Sequence, residues 1–298
     1  MLRKLTVYVV AALLIVSMIL GVGTKASAAN NFLSNQEQKN KIDWEQSVVK
    51  ATGYGIAPDY INNDAQAKIM AREAAITLAQ RHLLETIKGV QVNATQTVKN
   101  AQIQSDIVKK RLSGMIKGAK IIQEESPAQG VYKVVMEVKF YGQNGIVKAI
   151  FPKLKEEIKQ AKQSRQFSLN PSNDPGGNNS TTSVAQDYTG IIINTIGLDV
   201  EPALVPKIYS ASGNIIYGMS IVNSNGVVTK GIVKYSRSLA GAKVNPRAGN
   251  NPLIINAKQI KGSYKTDIVL SNKQANRVKQ VGRTNNIFAN CKVIIVLN

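Results

Sequence analysis

Two side chains in the sequence could do acid–base or nucleophilic chemistry near neutral pH: His82, the only histidine, and Cys291, the only cysteine. A general acid or base needs a polar partner to orient it. Arg81 and Leu83 beside His82 offer no acid, and Glu85 and Lys88 fit a solvated helix face, so no catalytic role is expected there. Cys291 opens the apolar run CKVIIVL, where a thiol behaves as a small hydrophobe, with an intermolecular disulfide as the alternative. One cysteine and one histidine exclude a Cys/His zinc cluster, and no metal or cofactor is expected. Glycoside hydrolysis needs only a paired acid and base, and the second half of the chain offers Asp174, Asp187, Asp199, Glu201 and Asp267. A site built from Asp199, Glu201 and Asp267 defines the enzymatic alternative, a cell-wall glycan hydrolase. Gly53-Tyr54-Gly55 lacks the lysine of a phosphate loop and the third glycine of a dinucleotide fingerprint, and reads as a strand-end turn.

Charge is the stronger signal. The 298 residues carry 38 Lys+Arg against 18 Asp+Glu, a formal net charge of +20. Residues 30–160 hold 19 basic and 13 acidic residues, whereas 161–298 hold 16 and 5. Lys109, Lys110 and Arg111 upstream, and Lys230, Lys234, Arg237, Lys243 and Arg247 downstream, are the candidate basic interaction surface. Such a field attracts an anionic wall polymer, a membrane surface or acidic protein partners. Nucleic acid is a poor candidate, because aromatic residues that would stack bases make up 5% of the chain.

The elements that must position these residues follow from patterning. Arg3 and Lys4, the apolar run Leu5–Val22 and the small residues Ala26-Ser27-Ala28 form a secretory signal peptide over 1–28, cleaved after Ala28. Retention of the run as an anchor is the competing reading. Export to the periplasm or cell exterior is expected either way. Residues 161–187, rich in Ser, Asn, Gln, Gly and Pro, read as a linker between an α+β domain over 29–160 and a β-rich α+β domain over 188–298.

In the first block, Ser47–Ile56 is β-prone and Asp64 is placed to cap a long helix. Ala65, Ile69, Ile76, Ala79, Leu83 and Ile87 supply that helix's apolar stripe. Val90–Val98 alternates as a strand, Ala101–Met115 forms a second helix and Ala119–Glu124 a strand. Tyr132, Val134, Met136, Val138 and Phe140 line one face of a further strand, and Gly145–Ala161 is helical despite Pro152. In the second block, Gly190–Leu198, Val227–Tyr235, Leu253–Ile260, Thr266–Leu270 and Cys291–Leu297 read as strands. Ser212-Gly213-Asn214 turns a hairpin, and Ser271 caps a helix over 272–281. The fold class is α+β, a mixed sheet packed with helices followed by a β-rich region.

A longer pattern runs through Ala71, Arg72, Ala74, Ala75, Ala79, Gln80, Arg81, Leu83, Leu84, Glu85, Ile87, Lys88, Gly89 and Val90, and continues through Ser113–Ala119. Over about residues 45–142 it resembles the amino-terminal domain of flagellar assembly protein T and the related Lpp-twenty lipoproteins. The resemblance implies a non-catalytic envelope or flagellar assembly scaffold with envelope or flagellar protein partners. Lpp-twenty members carry a lipidated cysteine at the cleavage site; none stands there in this chain.

Overall fold

A computed structural model describes residues 40–167, 187–284 and 286–298; the expected signal peptide and most of the expected linker lie outside them. The fold is α+β, as the patterning indicates. Contacts group the described residues into two compact units. One takes Asn40, Lys50–Leu83 and Lys120–Glu137; the other takes the described residues of Lys41–Val49, Leu84–Ala119 and Val138–Asn298. These units interleave along the chain, whereas the partition read from sequence is sequential.

Strands β1 (Lys41–Asp43), β2 (Val48–Ile56), β5 (Lys120–Ala128) and β6 (Val131–Lys139) form a sheet in the order β1-β2-β6-β5. The alternation of β6 is as read: Val134, Met136 and Val138 are buried and Lys139 is exposed. Helix α1 (Asp64–Lys88) is capped one residue earlier than expected. The side chain of Asn63, not Asp64, accepts the Gln66 N–H at 3.0 Å. Its buried stripe also differs from the one read. Ala71, Ala75, Ala79, Leu83 and Ile87 are buried, while Ile69 is exposed. The reason lies in β2. Gly53 and Gly55 are interior strand residues, not a turn, and Cβ atoms there would meet the backbone of Ala75 and Ala71 at 2.1 and 1.9 Å. Two glycines facing three alanines let helix and sheet backbones touch, and a larger side chain has no room.

The same unit holds His82 and the Arg72 cluster. His82 Nδ1 lies 2.7 Å from the Thr52 carbonyl, so this nitrogen carries the proton and ties α1 to β2. Arg72 donates Nε and Nη2 to the two Glu124 oxygens, both at 2.8 Å, and Tyr132 Oη donates to Oε2 at 2.9 Å. Those donors, Arg72 first, hold the Glu124 carboxyl below its ordinary range. They also fasten the exposed strand β5 to its neighbours.

In the second unit, the expected strand over 90–98 is a small hairpin, β3 (Gln91–Asn93) and β4 (Gln96–Thr97). Thr97 then caps α2 (Val98–Ile103) and Ser105 caps α3 (Asp106–Lys117), which divides the helix read over 101–115. Helix α4 (Ile146–Phe167) contains Pro152 and runs through the first seven residues of the expected linker.

Strands β10 (Lys234–Ser236), β14 (Val293–Val296), β7 (Gly190–Asn194) and β11 (Pro252–Asn256) form an all-parallel sheet in that order. Parallel strands covered by helices read as continuous apolar runs, and Ile191–193 and Val293–Val296 are all buried. Ile192, Ile294 and Val296 cluster with Ala242 and Ala248, residues in and just after α6 (Leu239–Val244). The mixed sheet β12-β13-β8-β9 comprises Gln259–Lys261, Asp267–Leu270, Ile208–Ser210 and Ile215–Tyr217. The expected single strand over 253–260 is thus two short strands in different sheets. The strand read over 227–235 is corrected more sharply. Ser224–Lys230 is helix α5, capped by Asn223, and Gly231 at φ 72° turns the chain into β10. Helix α7 (Asn272–Thr284) starts where Ser271 predicts: Ser271 Oγ accepts from Gln274 N at 3.3 Å.

Candidate functional site

Strands β8 and β13 pair in parallel and end together, with Ser210 opposite Leu270. Beyond this shared carboxyl end one chain turns into the β8–β9 hairpin and the other into α7, and a crevice opens between them. Ligands of parallel sheets bind outside the carboxyl ends of strands, where connections diverge. Here the space is a cavity of about 830 Å³. Ser210, Ser212 and Asn214 line it from the hairpin, and Asn272, Asn276 and Lys279 from α7.

Local chemistry fixes both walls. In the turn, Asn214 N–H donates to Ser210 Oγ at 3.1 Å and Gly213 adopts φ 87°. Ser212 N–H donates to Asn272 Oδ1 at 3.0 Å, which joins turn to helix. Asn272, Asn276 and Lys279 stand at i, i+4 and i+7, one face of α7, and Arg283 extends it by a further turn. Lys273 and Arg277 lie on an adjoining face; Arg277 donates to Tyr188 Oη at 2.6 Å. Helix α7 carries four cations and no acid. Hydroxyls, carboxamides and one ammonium form a set that can donate to several oxygens of a hydroxyl-rich or anionic ligand. The lining contains no carboxylate.

The basic residues chosen from sequence are distributed differently. Lys109, Lys110 and Arg111 are exposed on α3, as are Lys230, Arg237 and Lys243 elsewhere in the unit. Lys234 is half-buried, and burial, then the charge of Arg247, lowers its pKa. Arg247 faces inward. Its Nε donates to Cys291 O at 2.5 Å, Nη1 to Lys230 O at 3.0 Å and Nη2 to Gly231 O. That guanidinium is largely taken up in holding the end of α5 to the approach to β14, and the residue is only partly exposed. Cys291, free and fully buried beside it, is the small hydrophobe expected; burial pushes its thiol pKa up.

The carboxylates considered for hydrolysis have different surroundings. Asp199 pairs with Lys265 at 2.5 Å and Glu201 N–H donates to the Lys265 carbonyl. Asp267 is only 4% exposed, and accepts the Lys207 N–H at 2.9 Å. Asp174 lies outside the described residues, and Asp187 is exposed at their edge. Among the described residues no group of three or more His, Cys, Asp or Glu is placed to hold a metal ion.

The comparisons with known proteins bear on this region. Residues 190–298 match a family model, that of the second domain of Treponema pallidum Tp0624. Every residue named above as lining the cavity falls within the match. The match corrects the resemblance to flagellar assembly protein T and Lpp-twenty lipoproteins, which rested on residues 45–142. Helix-strand order and alanine spacing there reflect close packing of α1 on Gly53 and Gly55, a constraint unrelated folds share. A comparison with curated proteins finds no match.

Ser212-Gly213-Asn214 is expected there only as a hairpin turn, and the sequence marks none of the cavity residues as a site. Their signal is the Asn272, Asn276, Lys279 spacing behind the Ser271 cap. It gains meaning only once β8 and β13 are known to pair.

Asp267 yields a pH prediction. Burial disfavours its charged form and raises its pKa in the folded state, so folding takes up a proton and stability falls as pH rises through that pKa. Asparagine keeps the acceptor for Lys207 N–H without the charge. Asp267→Asn is therefore expected to be at least as stable as wild type at about pH 7, with the margin shrinking towards about pH 4. Urea unfolding across that range checks it; a margin that grows on acidification contradicts the assignment.

Proposed function

We propose that this protein is an exported, non-catalytic cell-envelope component that holds an anionic, hydroxyl-rich polymer in the hairpin–α7 cavity. The observation that carries the reading is the cavity's lining: hydroxyls, carboxamides and Lys279, with no acid, on a helix whose other charges are all basic. Oxygen-rich ligands exchange water for such donors at little cost when each lone pair finds a partner. The positive excess of residues 161–298 speeds encounter with a polyanion more than it selects one. Export rests on the n-region, apolar run and small-residue site over 1–28, and amino-terminal sequencing of the protein from its native envelope is expected to begin at Ala29.

Titration of purified wall polyanion, for example a polyol phosphate, is expected to show saturable binding that weakens with salt. Lys279→Glu should lower the affinity roughly tenfold or more, because it replaces an attractive contact with a repulsive one. Unchanged affinity in that variant, or turnover of the polymer, would overturn the reading.

A further inference from the structure

A second cavity, of about 410 Å³, opens between α3 and the start of α4. Arg111, Gly114 and Gly118 line it from α3 and its C-cap, and Gln143, Asn144 and Lys148 from the α4 side. We propose that this groove seats the phosphate of an anionic phospholipid, with Ile103 and Ile107 entering the lipid boundary beside it.

Three observations converge. The first is charge. Arg111 and Lys148 face one small space whose lining holds no carboxylate, and Arg111 Nη1 reaches the Lys148 carbonyl at 3.5 Å, which brings the guanidinium to the α4 side. A planar fork and an ammonium flanking one cavity match the oxygens of a phosphodiester.

The second is an unforced glycine. Gly114 lies inside α3, where glycine weakens a helix relative to alanine. Nothing stands within 4 Å of where its Cβ would be, and no positive φ requires it. At Gly118 the nearest atom is 3.7 Å away. The missing side chains leave the floor open rather than admitting a neighbour.

The third is apolar exposure next to the cations. Ile103 is 73% and Ile107 57% exposed, with Ile107 one turn before Arg111 on the same face of α3. Lys109 and Lys110 are exposed around them. Isolated isoleucines on a surface need no explanation, but two within five residues beside a cationic groove fit an interfacial contact, apolar groups below and basic groups at headgroup level. A free phosphate would use the groove and ignore the isoleucines.

The test is co-sedimentation of the chain from Ala29 onward, which keeps every described residue, with vesicles of phosphatidylcholine alone or with 30% phosphatidylglycerol. Binding is expected to rise at least tenfold with phosphatidylglycerol. Arg111→Gln with Lys148→Gln should remove most of that gain, and Ile103→Ser with Ile107→Ser should lower partitioning severalfold. All four positions are exposed, so thermal unfolding should be unchanged and a loss is not a folding defect. Lys279→Glu, which reports on the hairpin–α7 cavity, should leave vesicle binding within twofold of wild type. Equal binding to both vesicle types overturns the proposal. So does displacement by millimolar glycerol phosphate with the isoleucine variant still binding as wild type, which would mark a soluble phosphate ligand instead.

Discussion

Gly55→Val is expected to be among the most disruptive single substitutions in the first unit, costing about 3 kcal/mol or more. A Cβ at residue 55 would fall 1.9 Å from the Ala71 carbonyl oxygen and 2.6 Å from Ala75 N. Both are backbone atoms of a helix, so no rotamer change can relieve the overlap. The helix must lift from β2 over at least a turn, which opens the contacts of Ala71, Ala75 and Ala79 together. Gly53→Val should behave similarly, since its Cβ would meet Ala75 O at 2.1 Å and Ala79 N at 2.4 Å. A matched control is Gly114→Ala, where empty space and helix propensity predict a gain of about 0.5–1 kcal/mol. Denaturant midpoints of the three variants check the ordering. A Gly55→Val protein as stable as Gly114→Ala would refute the close approach of α1 to β2.

Arg247→Met should cost the second unit about 2–4 kcal/mol. The guanidinium satisfies three backbone carbonyls, those of Lys230, Gly231 and Cys291, and methionine leaves all three without that donor. Among the described residues no acid is paired with Arg247 through a salt bridge, and burial lowers its pKa, so the carbonyl cage must compensate the desolvated charge. Arg247→Lys keeps the charge but not the fork that reaches three acceptors, and is expected to fall between wild type and Arg247→Met. Cys291 supplies a native reporter. It is the only cysteine, is fully buried and shares its carbonyl with Arg247. Loss of about 2 kcal/mol makes local opening roughly 30-fold more frequent, so labelling by a thiol reagent should accelerate by about that factor. Labelling at the wild-type rate would show that Arg247 does not hold this segment.

What could be read in advance was local. The alternation of β6, the Ser271 cap, the Ser212–Asn214 turn and the buried run into β14 each depend on a few neighbouring residues, and the structure places them as read. Asn223 is as good a cap as Ser271, yet Val227 and Val228 pull the eye towards a strand; both are buried on α5 instead. The stripe of α1 was misread at Ile69 because its partner surface, two glycines on β2, dictates side-chain size, and that is a property of the pair. The hairpin–α7 cavity follows the same logic. Its turn and its helix cap were visible, but the crevice exists only because β8 and β13, some 60 residues apart, lie side by side. Arg247 shows the opposite limit: composition marks a cation, and only its three carbonyl partners reveal which way it points.

The strand order of the parallel sheet sets the timetable of the chain's birth. β14 is the last strand of that sheet to leave the ribosome, yet it sits between β10 and β7 and is, among the described residues, the only strand paired with β10. Until residue 296 emerges, Ile191–193 has one open flank and β10 has none to join. That sheet therefore closes only after synthesis has passed its last strand, whereas the sheet built from Lys41–Lys139 has all its strands long before.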